Sequence, residues 1–162
     1  MDFNHLFKLQ KELDEKIEHK HHLKEERLIE RKILALLVEI GELANETRCF
    51  KFWSVKPPSP RDVILEEYVD GLHFLLSLGH ELHIEKLPDM RAKKKETSLT
   101  DLFLKVYQKS AKLKEYLSIQ SYIDLFNDYV TLGNALGFAE EDIVSAYLAK
   151  NEVNHQRQNQ GY

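Results

Sequence analysis

The sequence predicts an all-α protein built as a helical bundle. Three observations carry that expectation. Apolar residues recur at the i, i+3, i+4, i+7 spacing of amphipathic helices along almost the whole chain. No strand-like alternation, internal repeat or low-complexity segment interrupts them. The residues that resist helix gather in two stretches, RCFKFWSVKPPSPRD and PDMRAKKKETS, which read as connections. With 162 residues and 43% apolar content the chain can bury one proper core, so a single domain over 1–162 is expected.

The first helix is marked by Phe3, Leu6, Leu13 and Ile17, with Gln10 on the apolar side of the stripe and Asp14 one turn further on. A charged run containing His19, His21 and His22 follows. These histidines face different ways on a helix and lack the i, i+4 pairing of helical zinc sites, so a solvated connection is expected. The second helix gathers its apolar face from Leu28 to Ala44. Pro57, Pro58 and Pro60 then break the pattern, since proline cannot continue a helix interior. The third helix is expected to start at Pro60 or Arg61, with Ser59 as its cap, and to end near His83. Thr100 is placed as the cap of a fourth helix, TDLFLKVYQKSAKLKEYL, and Ser118 or Ser121 as that of a fifth ending at Gly133 or Gly137. A sixth, AEEDIVSAYLAKNEVNHQR, opens with acids that suit the positive end of a helix.

Composition narrows the function. A net charge of -4 argues against a generic nucleic-acid binder, whose footprint is basic. No apolar run approaches the length of a membrane span, and MDFNHLFKLQ lacks the features of a signal peptide, so a cytoplasmic protein without a membrane partner is expected. The lone Cys49 allows no internal disulfide and no cysteine-rich metal site, and is read as a packed residue near a helix end.

Chemistry concentrates between Ile33 and His80. Glu39 with Glu42, and Glu67 with Asp70, each stand i, i+3 on one helical face, inside the apolar segments ILALLVEIGELA and VILEEYVDGLHFLLSL. Because the turn between them is short, the two helices should pack antiparallel and bring the pairs face to face. Carboxylates turned inward need a cation, a proton or a basic partner, and neither segment interleaves a Lys or Arg at the matching positions. A hard metal is the simplest resolution, and oxygen-only ligands favour Mg2+ or Mn2+ over zinc. Gly41, between the two glutamates, suits close approach of another helix or a ligand. Phe50, Phe52 and Trp53 beside the proline turn read either as packing or as a wall for a flat ligand.

The tail is the second informative stretch. In KNEVNHQRQNQGY, Lys150, Asn154 and Arg157 fall on one helical face, and Gly161 and Tyr162 close the chain. Such a face suits a polyphosphate, although cations in a last helical turn are favoured in any helix.

Taken together, EIGE from Glu39 to Glu42, EEYVDGLHF from Glu66 to Phe74, and the terminal KNEVNHQRQNQGY resemble the dimeric, all-α dUTPase family, relatives of the MazG-type pyrophosphohydrolases. The likeness runs from LQKELD to the final tyrosine. It implies a homodimeric bundle that holds Mg2+ and cleaves dUTP to dUMP and pyrophosphate. Carried onto this chain, it implies Glu39, Glu42, Glu67 and Asp70 as metal ligands, with Glu39 also orienting or deprotonating the attacking water. It implies His73 and Phe74 at the deoxyribose, where a close-packed ring excludes a 2'-hydroxyl. Trp53 would lie near the base and Gln10 with Asp14 would bond uracil. Lys150, Asn154 and Arg157 would clamp the phosphates, and Tyr162 would end the same motif.

Two alternatives stand beside it. A broader MazG-type enzyme would take other nucleoside triphosphates or dUDP. A ferritin-like carboxylate bundle would need two Glu-x-x-His motifs; Asp70 with His73 imitates one of them, and the second is missing, since Glu42 is followed at i+3 by Asn45.

Overall fold

A computed structural model describes residues 1–94 and 97–161. Those residues form six helices and no strand: α1 (Asn4–Lys20), α2 (Ile29–Thr47), α3 (Arg61–Glu81), α4 (Leu99–Lys112), α5 (Ile119–Ala135) and α6 (Glu140–Asn159). The all-α expectation holds element by element. The most extensive packing joins α2 and α3, the two helices that carry the acidic pairs, while α1 and α6 both lie against α3.

Local chemistry explains most boundaries and corrects several. Ser118 caps α5 by accepting the Ser121 N–H, as its position suggested. At α4 the cap is Ser98, which accepts the Asp101 N–H, so the helix begins before Thr100. Ser59 does not cap α3: its hydroxyl donates to the Glu46 carboxylate and its N–H to the Glu46 carbonyl, tying the proline connection back to α2. Pro60 takes the cap position instead. Gly137, at φ 83°, follows α5 in the left-handed region that glycine tolerates. Gly133 lies inside α5 and serves packing rather than termination. Cys49 is half-buried just past the end of α2.

The buried apolar side chains form one cluster to which all six helices contribute. At its centre the Tyr68 and Tyr129 rings stack at 4.6 Å, and each hydroxyl donates to the other residue's backbone carbonyl, at 3.0 and 2.6 Å. Tyr129 reaches into the space above Gly71, where any Cβ would collide with it. The residue beside Asp70 must therefore be small, and the tyrosine pair fixes the depth at which α3 presents its acids. Gly41 likewise admits a neighbouring helix: the Tyr107 hydroxyl of α4 lies over it and donates to the Leu37 carbonyl at 3.0 Å.

Candidate active site

Four helix faces converge on a cavity of about 450 Å³. Each supplies residues at helical spacing: Gln10, Leu13, Asp14 and Ile17 from α1, Lys32 and Glu39 from α2, Asp70, His73, Phe74 and Ser77 from α3, and Lys150, Asn154, Arg157 and Gln158 from α6. Most of the residues singled out in the sequence thus share one space.

At one end lies the acidic centre. Ligand oxygens of Glu39, Glu67 and Asp70 fall within 4.8 Å of one another. Burial raises the pKa of all three; neighbouring carboxylates add to it at Glu39 and Glu67, while Lys150 partly offsets it at Asp70. Glu39 is pushed up to about 8 by burial, its hydrogen bond with Glu42 and the charges of Asp70 and Glu67. Its Oε2 is buried with no hydrogen-bond partner. Glu42 stays near enough to couple to Glu39, but it is exposed and faces a second recess on the other side of α2, with Asn45, Glu46 and Glu67. A hard divalent cation fits this set: the donors are all oxygen, they converge, and one is buried without a partner.

The acids do have a basic neighbour, which local spacing did not reveal. Lys150 Nζ of α6 lies 3.0 Å from Asp70 Oδ2 and 2.9 Å from Glu66 Oε1. Burial opposes its charge, but these two partners prevail and raise its pKa. Arg157 adds its positive field at Asp70. Carboxylates on α3 and cations on α6 therefore face each other across the cavity.

The other end is a hydrogen-bonded chain. Gln10, only 4% exposed, donates from Nε2 to Asp14 Oδ1 at 2.9 Å. Its Oε1 lies 2.6 Å from His73 Nδ1 and accepts from the Tyr147 hydroxyl at 2.8 Å. Burial drives His73 down to about 3, with the Lys150 charge adding, so the ring is neutral. Burial drives Asp14 up to about 6 against the pull of Lys32.

Besides Glu42 and Glu67, which line the second recess, Trp53 stands apart from this space. Trp53 lies 64% exposed on the connection between α2 and α3, edge-on to Phe52 at 5.1 Å and Phe50 at 6.0 Å. Tyr162 lies outside the described residues. Conversely, Lys32, Ser77 and Tyr147 were not singled out. Lys32 precedes Glu39 by seven, Ser77 follows Asp70 by seven and Tyr147 precedes Lys150 by three, so the stripes already in view would have found them.

An all-α bundle whose acidic centre opens on a cavity walled by a cationic helix defines a class of protein suited to hard cations and polyanions. The chain belongs to the all-α dUTPase family: the family model, described as dUTPase, matches residues 2–162, and with it comes dUTP diphosphatase-like nucleotide hydrolysis. Such enzymes generally depend on a divalent metal, and the acidic cluster accords with that. None of the curated proteins matches the chain.

Proposed function

We propose that the protein cleaves dUTP to dUMP and pyrophosphate with Mg2+, or Mn2+ in its place, held by Glu39, Glu67 and Asp70, whose oxygens converge, and by Glu42, which the ion would draw in from the recess it faces. The observation that carries the reading is the opposition, across one cavity, of the carboxylates of α2 and α3 and the cationic face of α6. The bound ion would neutralise charge on phosphate oxygens and lower the pKa of water. Glu39 is the residue to orient the attacking water and take its proton, since Oε2 has no competing partner. The water oxygen bonds to phosphorus as the phosphoanhydride bond breaks, and pyrophosphate leaves with the electron pair.

The remaining roles follow the cavity. Lys150, Asn154 and Arg157 bind phosphate oxygens, with Arg offering forked donors and Lys a point charge. His73 and Phe74 meet the deoxyribose, and Gln10 with Asp14 bonds the base. Trp53 is proposed to meet the base from outside the cavity wall, and Tyr162 to complete the phosphate-binding motif. As Trp53 is the only tryptophan, its fluorescence reports directly on nucleotide binding. A homodimer is proposed as the working form, supported by an apolar face left exposed on α2 and α4.

The test is hydrolysis of the common dNTPs and dUDP, side by side, with Mg2+, Mn2+ or EDTA. We expect dUTP to lead and EDTA to stop turnover. Glu42→Gln or Asp70→Asn should lower turnover on the order of a hundredfold or more, the scale of losing one preorganised electrostatic contact. Circular dichroism should show both variants folded, since neither side chain belongs to the apolar core. Full turnover in either variant or in EDTA overturns the metal assignment, and equal rates on all nucleotides replace dUTP with the broader MazG-type range.

A further inference from the structure

Gln10 is buried, so its amide must be satisfied inside the protein. Its nitrogen faces the Asp14 carboxylate, which fixes the amide orientation and turns the carbonyl toward His73 and Tyr147. A carbonyl oxygen has two lone pairs. Both are taken, one by the Tyr147 hydroxyl at 2.8 Å and one by His73 Nδ1 at 2.6 Å. Because that oxygen has no proton to give, Nδ1 must carry the hydrogen, and the lone pair of the neutral ring then sits on Nε2. Nε2 is buried without a partner, as is Asp14 Oδ2. The Tyr147 ring also stacks on the imidazole, with centroids 4.2 Å apart and planes 18° from parallel. Tyr147 itself is fully buried.

We propose that Tyr147 is a specificity-determining positioning residue: by filling the Gln10 carbonyl it leaves Gln10 able only to donate, and His73 Nε2 and Asp14 Oδ2 able only to accept. This rests on the cavity being the nucleotide site. The wall so built complements uracil, whose carbonyl can accept the Gln10 N–H while the adjacent ring N–H donates to Asp14. Cytosine in the same pose sets an exocyclic amine against the Gln10 N–H and a ring lone pair against the carboxylate. An amide free to turn would relieve the first conflict by offering its oxygen. Tyr147 and His73 hold that oxygen elsewhere, so the mismatch stays in place. A sugar hydroxyl is the ligand group with a proton for His73 Nε2.

Tyr147→Phe keeps the stacked ring and removes only the hydroxyl. The ratio of kcat/KM for dUTP over dCTP should narrow by about tenfold, the scale of one hydrogen bond gained by the wrong base. Thermal unfolding should show the variant folded. Independently, nitrogen NMR of histidine-labelled, ligand-free protein should show His73 as a single tautomer with the proton on Nδ1, its signal assigned by loss in His73→Asn. An unchanged dUTP-to-dCTP ratio in a folded Tyr147→Phe, or a proton on His73 Nε2 in the native protein, overturns the proposal. If the native protein turns over neither nucleotide, the functional reading falls on its own, and the tautomer still decides the local arrangement.

Discussion

Glu39 is held as an acid up to about pH 8 in the metal-free protein, whereas in the unfolded chain it ionises near its ordinary 4.5. A group whose pKa is raised by folding stabilises the native state fully below the unfolded value, and that contribution is lost as pH rises through the folded value. Glu67 and Asp70 shift in the same direction. His73, lowered by burial from 6.5 to about 3, acts in the opposite sense up to about pH 6.5. In EDTA the melting temperature should therefore fall between about pH 6.5 and pH 8, the upper part of the window set by the Glu39 shift. With Mg2+ the fall should flatten or reverse, because the ion binds the ionised form and stabilises by mass action. Glu39→Gln should lose most of the pH effect. Melting curves that are flat with pH in EDTA and indifferent to Mg2+ would refute a repulsive metal centre.

Among the helices, α6 is the one whose role depends most on its neighbours. Its cationic face was legible from spacing alone, but its target was not. Lys150 now sits on Asp70, one of the oxygens assigned to the metal, so ammonium and ion compete for it. Lys150→Met should tighten Mg2+ binding in calorimetry without nucleotide, by about threefold to tenfold for a half-buried pair of modest strength. The same change should weaken catalysis, because the lysine also serves phosphate. Arg157→Ala should lower kcat/KM about tenfold to a hundredfold, given about 1.5 to 3 kcal/mol for a charge-assisted bond. Unchanged Mg2+ affinity and near-native efficiency in both variants would make α6 an ordinary solvated end. Point variants are needed for this, since removing the last turns would also cut the ties of Lys16 to Asn159 at 2.7 Å and of His21 to Gln158 at 3.1 Å that dock α6 on α1.

For the whole molecule, the feature that matters is the apolar face of α2 and α4. Leu34, Val38 and Leu104 are 63%, 50% and 62% exposed, and a groove of about 250 Å³ runs between the two helices over Gly41 and Tyr107. Exposed apolar side chains of this kind are what a two-fold interface buries. Sedimentation should show a dimer, and Leu34→Glu with Leu104→Glu should convert it to monomer with the helical signal intact. A native protein that sediments as a monomer at tens of micromolar, well above the affinity of a stable interface, refutes the proposal.

Six helices, their order and the antiparallel pairing of α2 with α3 were legible in the sequence, because each follows from local rules: a 3.6-residue period, proline as a breaker, serine as a cap. So were the acidic pairs, the cationic stripe and the odd polar Gln10 in an apolar face, since spacing decides which side of a helix a residue occupies. Spacing cannot say which sides meet. Lys150 finds Glu66 across 84 residues, His73 finds Gln10 across 63 and Tyr147 finds Gln10 across 137. Those meetings decide that the acids have an internal counter-ion and that a glutamine carbonyl is closed to ligands. Each depends on how helices far apart in the chain settle against one another around Tyr68 and Tyr129. A helix-by-helix reading holds the donors and acceptors, and only the packed bundle pairs them.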